Sequence, residues 1–250
     1  MSFIKAHKLQ KIYGSGNVAV NAVHDVSFEI ESGEFVAVMG ESGAGKSTLL
    51  DMIGAMSDPS SGQLWVDDID IYAMPSEKRA DFRREFLGFV FQSFYLVSYL
   101  TVLENVMLPL TNTGLGKKNK REMAQEALAW VGLDQKVHRM PNQISGGEKE
   151  RVAIARAIVN DPPILLADEP TGNLDTKTSR EIVKLLCRLN ERGMTIIMVT
   201  HNPDCANSAK RRLTISDGIL VHDTRQGYSH FTEIVSPSLG TNALNFSLLR

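Results

Sequence analysis

Near the start of the chain, apolar and polar residues alternate. Val26, Phe28 and Ile30 are separated by Ser27 and Glu29, and Ser32-Gly33 supplies a turn. A period of two marks a strand with one covered face, so the first 35 residues read as β. The pattern then becomes continuous. Phe35-Val36-Ala37-Val38-Met39 has no polar position, as expected of a strand buried on both faces. A glycine-rich stretch follows, and Thr48-Leu49-Leu50-Asp51-Met52-Ile53 suits a helix. Leu64-Trp65-Val66 and the segment from Ile69 to Tyr72 predict a small hairpin around Asp67-Asp68.

From about residue 88 to residue 160 the spacing is helical. Met123, Ala127, Leu128 and Val131 share one side of a helix predicted from Glu122 to Val131. Lys117 through Arg121 reads as a basic, solvated turn before it. A further helix is predicted from Ser145. This stretch is expected to form a helical subdomain inserted into an α/β core. Pro162-Pro163 marks the return to the core. Ile164-Leu165-Leu166-Ala167 predicts a second buried strand, Glu181 to Leu189 a helix ending near Gly193, and Thr195-Ile196-Ile197-Met198-Val199-Thr200 a third strand. Asp217-Gly218 between short apolar runs is a hairpin signal. One domain is expected over residues 1–223. The pattern weakens after Asp223, and residues 224–250 are left as a tail without an assigned role.

Composition narrows the setting. The 250 residues are 43% hydrophobic and 22% charged, enough for a sizeable core. A net charge of −2 gives no sign of a nucleic-acid partner. Cys187 and Cys205 show neither metal spacing nor a disulfide framework, which suits a reducing cytosol. No long apolar stretch follows Lys5, so no signal peptide is expected. The longest apolar runs are strand-length, well short of the ~20 residues that cross a bilayer. Any work at a membrane would need spans from another chain.

Gly40-Glu41-Ser42-Gly43-Ala44-Gly45-Lys46-Ser47 fits the phosphate-loop pattern G-x-x-x-x-G-K-[ST], placed between a buried strand and a helix. Glycines let backbone N–H groups converge on an anion where a Cβ would block it. The helix that follows, beginning near Thr48, points its positive end at the phosphates. Gly40 through Thr48 are expected to bind the nucleotide, with Lys46 reaching the β- and γ-phosphates and Ser47 ligating Mg²⁺. The strand Ile164 to Ala167 ends in Asp168-Glu169. In a phosphate-loop fold the first carboxylate holds Mg²⁺. The second can face a water in line with the γ-phosphate and act as general base. Alone, Asp-Glu after a strand is an ordinary solvated loop; the phosphate loop gives it meaning.

With these motifs in place, the sequence resembles the ABC ATPases from about Phe3 to Val221. Ser145-Gly146-Gly147-Glu148 and the following Lys149 through Ala157 look like the family's signature motif, with Glu148 where glutamine is usual. Ser145 is also a sensible N-cap on an ordinary amphipathic helix. The resemblance implies an α/β phosphate-loop NTPase core with a mixed or parallel sheet, an antiparallel β subdomain and the inserted helical subdomain. It also implies ATP and Mg²⁺ as cofactors. Ser145, Gly146, Gly147 and Glu148 would grip the γ-phosphate of ATP bound to a second ATPase subunit, with Asp175 of Asn173-Leu174-Asp175 crossing the interface. Gln92 resembles the glutamine that senses Mg²⁺ and contacts a membrane partner. His201 resembles the histidine on the γ-phosphate, and Tyr13, beside Gly14-Ser15-Gly16-Asn17, the aromatic that stacks on adenine.

Glu169 through Asp175 and Phe91 through Leu96 look most like the branch holding macrolide-export, lipoprotein-release and cell-division ATPases. The resemblance implies an integral membrane permease chain as partner and the cytoplasmic face of the membrane as location, for export, extraction or mechanotransmission. An ATPase that gates an extracytoplasmic enzyme without transport is the alternative. Leu96-Val97-Ser98 departs from the Leu-Leu-Pro frequent in that branch, which bears on partner identity. Phe94, Tyr95 and Tyr99 either line a groove for a partner helix or pack inside the helical subdomain. Translation-factor and DNA-repair members fit less well: there is one ATPase domain, and no heptads separate Lys46 from Asp168.

Overall fold

The computed structural model describes residues 2–225; Met1 and residues 226–250 of the predicted tail lie outside the described residues. The alternating pattern at the start becomes β1 (Ser2–Tyr13) and β2 (Val20–Glu31), paired antiparallel. β1 also pairs with β4 (Ser61–Val66), and β4 with the short β5 (Ile69–Asp70), giving the sheet order β2-β1-β4-β5. Ile4, Leu9, Val26, Ile30 and Leu64 are fully buried beneath it.

The continuous apolar runs form the second sheet. β3 (Phe35–Met39), β7 (Ile164–Asp168) and β8 (Thr195–Val199) run parallel, with β6 (Leu87–Val90) beyond β7 and β9 (Arg211–Ser216) beyond β3. β10 (Ile219–Arg225) closes the order β10-β9-β3-β8-β7-β6 through an antiparallel hairpin at Asp217-Gly218. The reason for the unbroken hydrophobicity is visible in the two cores. Val36, Val38, Ile164, Leu166, Ile197 and Val199 face the antiparallel sheet, α1 (Lys46–Ile53) and α2 (Ser76–Phe86). Their neighbours Phe35, Ala37, Leu165, Ala167, Ile196 and Met198 face the other way. There they meet α3 (Val102–Met107), α4 (Lys117–Trp130), α5 (Gly146–Ile158) and α6 (Thr176–Glu191). A short α7 (Pro203–Ala206) follows β8. Each fully buried Leu, Ile or Val contributes roughly 1.5–3 kcal/mol.

Three segments differ from the sequence reading. Leu87–Val90, at the edge of the expected helical stretch, is a strand of the core sheet, since it pairs in parallel with β7. Lys117 to Arg121 is the first turn and more of α4, not a turn before it. The side chains are solvated as expected, but Lys and Arg are good helix formers and no breaker stands among them. α2 went unread because it buries only Phe82 and Phe86, four residues apart in an otherwise polar run. The two sheets are tied by Arg211, whose buried guanidinium meets Asp223, Glu34 and the Glu29 carbonyl. These bonds hold its pKa above the usual range, Asp223 foremost.

Candidate active site

The carboxyl ends of β3, β8 and β7 lie side by side, since both Val38 and Asp168 register with Val199. Ligands of parallel α/β sheets collect at that edge. The chain leaves β3 through Gly40, Glu41, Ser42, Gly43, Ala44 and Gly45 and enters α1 at Lys46. Gly45 is demanded by geometry. Its φ is +96°, and a Cβ would lie 2.1 Å from the Ala22 carbonyl oxygen of β2. Gly45 caps α1 without a side-chain hydrogen bond, so the helix presents bare N–H groups and its positive end. Thr48 lies in the same first turn.

Lys46 is 8% exposed. Its Nζ donates to the carbonyls of Gly40 at 2.9 Å and Glu41 at 2.7 Å, which holds the ammonium at the loop. Ser47 Oγ donates to Asp168 Oδ1 at 3.2 Å. Burial pushes the Asp168 carboxyl up; the Ser47 bond opposes this, the Glu169 charge adds to it and the Lys46 charge opposes it. Asp51 of α1 is pushed up by burial and then by Asp168. Crowded carboxylates beside a hydroxyl form a hard-oxygen donor set that suits Mg²⁺, so Ser47 and Asp168 fit that ion.

Glu169 holds an unusual backbone. Its φ is +47°, and its N–H donates to the Val199 carbonyl at 3.0 Å. A left-handed non-glycine residue costs about 1–3 kcal/mol and points to function. The Glu169 side chain is 12% exposed, with Oε1 2.9 Å from His201 Nδ1. Its Oε2 is buried and has no hydrogen-bond partner among the described residues. A buried carboxylate oxygen left unpaired is costly, a second unfavourable feature at the same residue. Gln92 stands beside this pair. Its carbonyl accepts from Asn173 Nδ2 at 3.0 Å, and its Nε2 lies against Gly172, as does the Glu169 carbonyl.

A second cluster sits at the start of α5. Ser145 Oγ accepts from the Glu148 N–H, and Glu148 Oε2 accepts from the Ser145 N–H, a reciprocal capping box. Lys136 pairs with Glu148 and, as the largest cause, holds its carboxyl below the usual range. Gly146 lies against Leu174, and Gly147 packs so close to α6 that a Cβ would lie 2.3 Å from Thr178 Cγ2. Asp175 caps α6, accepting from the N–H and Oγ1 of Thr178 at 3.0 and 2.6 Å. Those bonds hold its carboxyl low.

The family profile described as ABC transporter matches residues 23–172. An uncharacterized ABC transporter ATP-binding protein of Bacillus subtilis, YvrO, is 47% identical over 224 residues, which is 90% of this chain and 98% of that one. The chain belongs to the ABC transporter family. The macrolide export ATP-binding/permease protein MacB of Chlorobium phaeobacteroides is 45% identical over 218 residues, 87% of this chain but 33% of MacB. A dimeric post-hydrolysis state of the ATP-binding cassette MJ0796, bound to ADP and Pi, matches with a TM-score of 0.84 at 39% identity, covering 90% of this chain and all of that one. The expected fold is therefore the observed one, and this chain is an ABC-type ATPase, the ATP-binding subunit of a transporter.

Lys46, Ser47, Asp168 and Glu169, expected from the phosphate-loop motifs, are brought together with His201, expected from the ABC resemblance, and Gln92 lies alongside. Ser145 to Glu148 and Asp175 share the other cluster. Tyr13 is 44% exposed opposite Val20, with the Lys11 ammonium 5.2 Å from its ring centroid. A groove of about 600 Å³ has Phe89, Phe91, Tyr95, Leu108, Pro109 and Asn112 among its lining residues. Tyr95 is 66% exposed in it, Tyr99 is 78% exposed, and Phe94 is half-buried. Asn173 clamps Gln92, a role that its place in the Asn173-Leu174-Asp175 motif does not reveal. An asparagine in an exposed turn carries no signal of its own.

Proposed function

We propose that this ATPase works as one of two identical subunits that close head to tail over two ATP molecules, at the cytoplasmic face of a membrane, and power a separate permease chain. The observation that carries the reading is that the site comes in two halves: a phosphate loop with its carboxylates, and a helix N-terminus in a second cluster. A rotation-related copy would bring the two halves together. The dimeric MJ0796 cassette supports that arrangement. MacB supports the permease: there the cassette is a third of a chain named for both parts. No helix among the described residues here is long and apolar enough to cross a membrane. MacB is named for macrolide export; the work proposed for this chain is export, extraction or mechanotransmission, and the groove beside Tyr95 takes a helix of the permease.

Within each subunit, Lys46 and the bare N–H groups of α1 bind the phosphates and Tyr13 meets the adenine. The Glu169 carboxylate takes the proton of the attacking water, while His201, bonded to Oε1, fixes its direction. Ser47 and Asp168, with Gln92 nearby, would hold Mg²⁺, which would supply positive charge to the phosphates. Ser145 to Glu148 of the second copy complete the anion site. Glu169→Gln is expected to keep ATP, to slow turnover by about 10²–10⁴, and to elute as a dimer in ATP. Turnover near the wild-type rate would refute the base; a nucleotide-loaded monomer on gel filtration would refute the sandwich.

A further inference from the structure

The loop from Gln92 to Thr101 is fastened at three points. Asn173 holds the Gln92 carbonyl. Asn105, fully buried, accepts from the Val97 N–H and donates to the carbonyls of Val97, Leu100 and Thr101. Between them stands Arg156, on the last turns of α5. Its Nη1 donates to the Tyr95 carbonyl and its Nη2 to the Phe94 carbonyl, both at 2.6 Å. Phe94 and Tyr95 have φ of +51° and +45°. Two successive bulky residues in the left-handed region are strained and persist only when their surroundings impose it.

Arg156 is suited to impose it. A guanidinium is a planar fork that meets two adjacent carbonyls at once, which an ammonium does not. Its electrostatic neighbour on α5 is Glu150, fully buried, whose carboxyl burial pushes up to about 8. At neutral pH Glu150 is largely protonated, so the fork is left to the two carbonyls. The loop is braced from the other side by aromatic contacts. Phe91 stacks on Phe89 with centroids 5.6 Å apart and meets the Tyr95 ring edge at 5.4 Å. Phe89 in turn lies against Gly54 at the end of α1.

We propose that Arg156 is a positioning residue for hydrolysis, locking the strained Phe94–Tyr95 backbone so that the loop holds Gln92 beside Glu169 in a place fixed by the signature helix. This rests on the reading of Gln92 as part of the hydrolytic site. The test uses Arg156→Gln and Arg156→Lys in the full chain, with amide hydrogen exchange and steady-state ATPase kinetics. Both variants are expected to speed exchange at residues 93–97 about tenfold, while the amides of β7 and the middle of α5 stay as slow as in wild type. Both are expected to lower kcat about tenfold with KM for ATP within twofold. Unchanged exchange at 93–97, or equal loosening of β7 and α5, overturns the clamp. Full activity in Arg156→Lys overturns it too, because charge alone would then suffice. Gln92→Ala, measured in parallel, separates the two readings. Normal turnover there refutes the role of Gln92, whereas a slow Gln92→Ala beside a fast Arg156→Gln refutes the clamp alone.

Discussion

α1 and α5 both begin at glycine-rich turns, yet their first N–H groups are treated in opposite ways. α1 starts from Gly45, which offers no side-chain acceptor. α5 starts from Ser145, which offers one, and Glu148 returns the bond. Each helix also buries a charged residue type. In α1 it is Lys46, held by two carbonyls at the mouth of the loop. In α5 it is Glu150, with Oε1 lacking a partner among the described residues. The difference teaches what each helix is for. An uncapped N-terminus beside a buried cation is unfinished without an anion. A capped N-terminus above a protonated acid is finished as it stands, and can meet a ligand only as an addition to a stable element.

The largest effect should come from removing the cation of the unfinished helix. Lys46→Ala is expected to lower ATP affinity by at least about 10²-fold, because charge-assisted bonds to phosphate oxygens in a shielded loop have no substitute. Calorimetric titration checks it, with the thermal midpoint as control. Retained affinity would mean that α1 does not depend on its anion, and the contrast with α5 would dissolve.

The buried acid of α5 gives a smaller effect with a sign. Burial raises the Glu150 pKa from 4.5 to about 8 in the folded chain. The folded state therefore binds the proton more tightly than the unfolded one. The stability linked to it is complete below pH 4.5 and drains away as pH rises through 8. Glu150→Gln keeps the shape and removes the titration. The variant is expected to gain on the order of a few kcal/mol over wild type at pH 8 and nothing at pH 4.5. Urea unfolding at the two pH values measures it; a gain independent of pH would show that Glu150 is not buried as an acid.

Much of this contrast was legible in the residues themselves. Gly40 to Ser47 names its chemistry by spacing, and the fully apolar β3, β7 and β8 announce strands covered on both faces. The capping box of Ser145 and Glu148 is equally local. What was not legible depends on tertiary partners. Leu87–Val90 is four residues long and becomes a strand because β7 lies beside it. Lys117 to Arg121 becomes helix because the chain that follows buries Ala124 and Leu128 and carries the turn with it. Asn173 and Arg156 act on backbone carbonyls of a loop far away in sequence, and the motifs that hold them say nothing of those bonds. Glu169 was readable as a carboxylate after a strand, but its left-handed backbone and its bond to His201 were not.

The smallest effect tests the finished helix. Ser145 Oγ receives the Glu148 N–H at 3.3 Å, a long bond, while the return bond from the Ser145 N–H to Glu148 is 2.9 Å and Glu148 is also held by Lys136. Ser145→Ala removes only the longer of these contacts. Loss of an N-cap costs about 0.5–2 kcal/mol, and with the return bond intact the lower end is expected, about 0.5–1 kcal/mol by urea unfolding without nucleotide. The same variant should bind ATP as a single chain within twofold of wild type, since Ser145 stands in the other cluster from Lys46. Its ATP-driven dimer, trapped on the Glu169→Gln background, should weaken by about tenfold on dilution, the worth of one hydrogen bond to a charged phosphate. A tenfold loss of ATP affinity in the monomer would place both helix ends on one nucleotide within one chain, and the distinction between α1 and α5 would fail at its root.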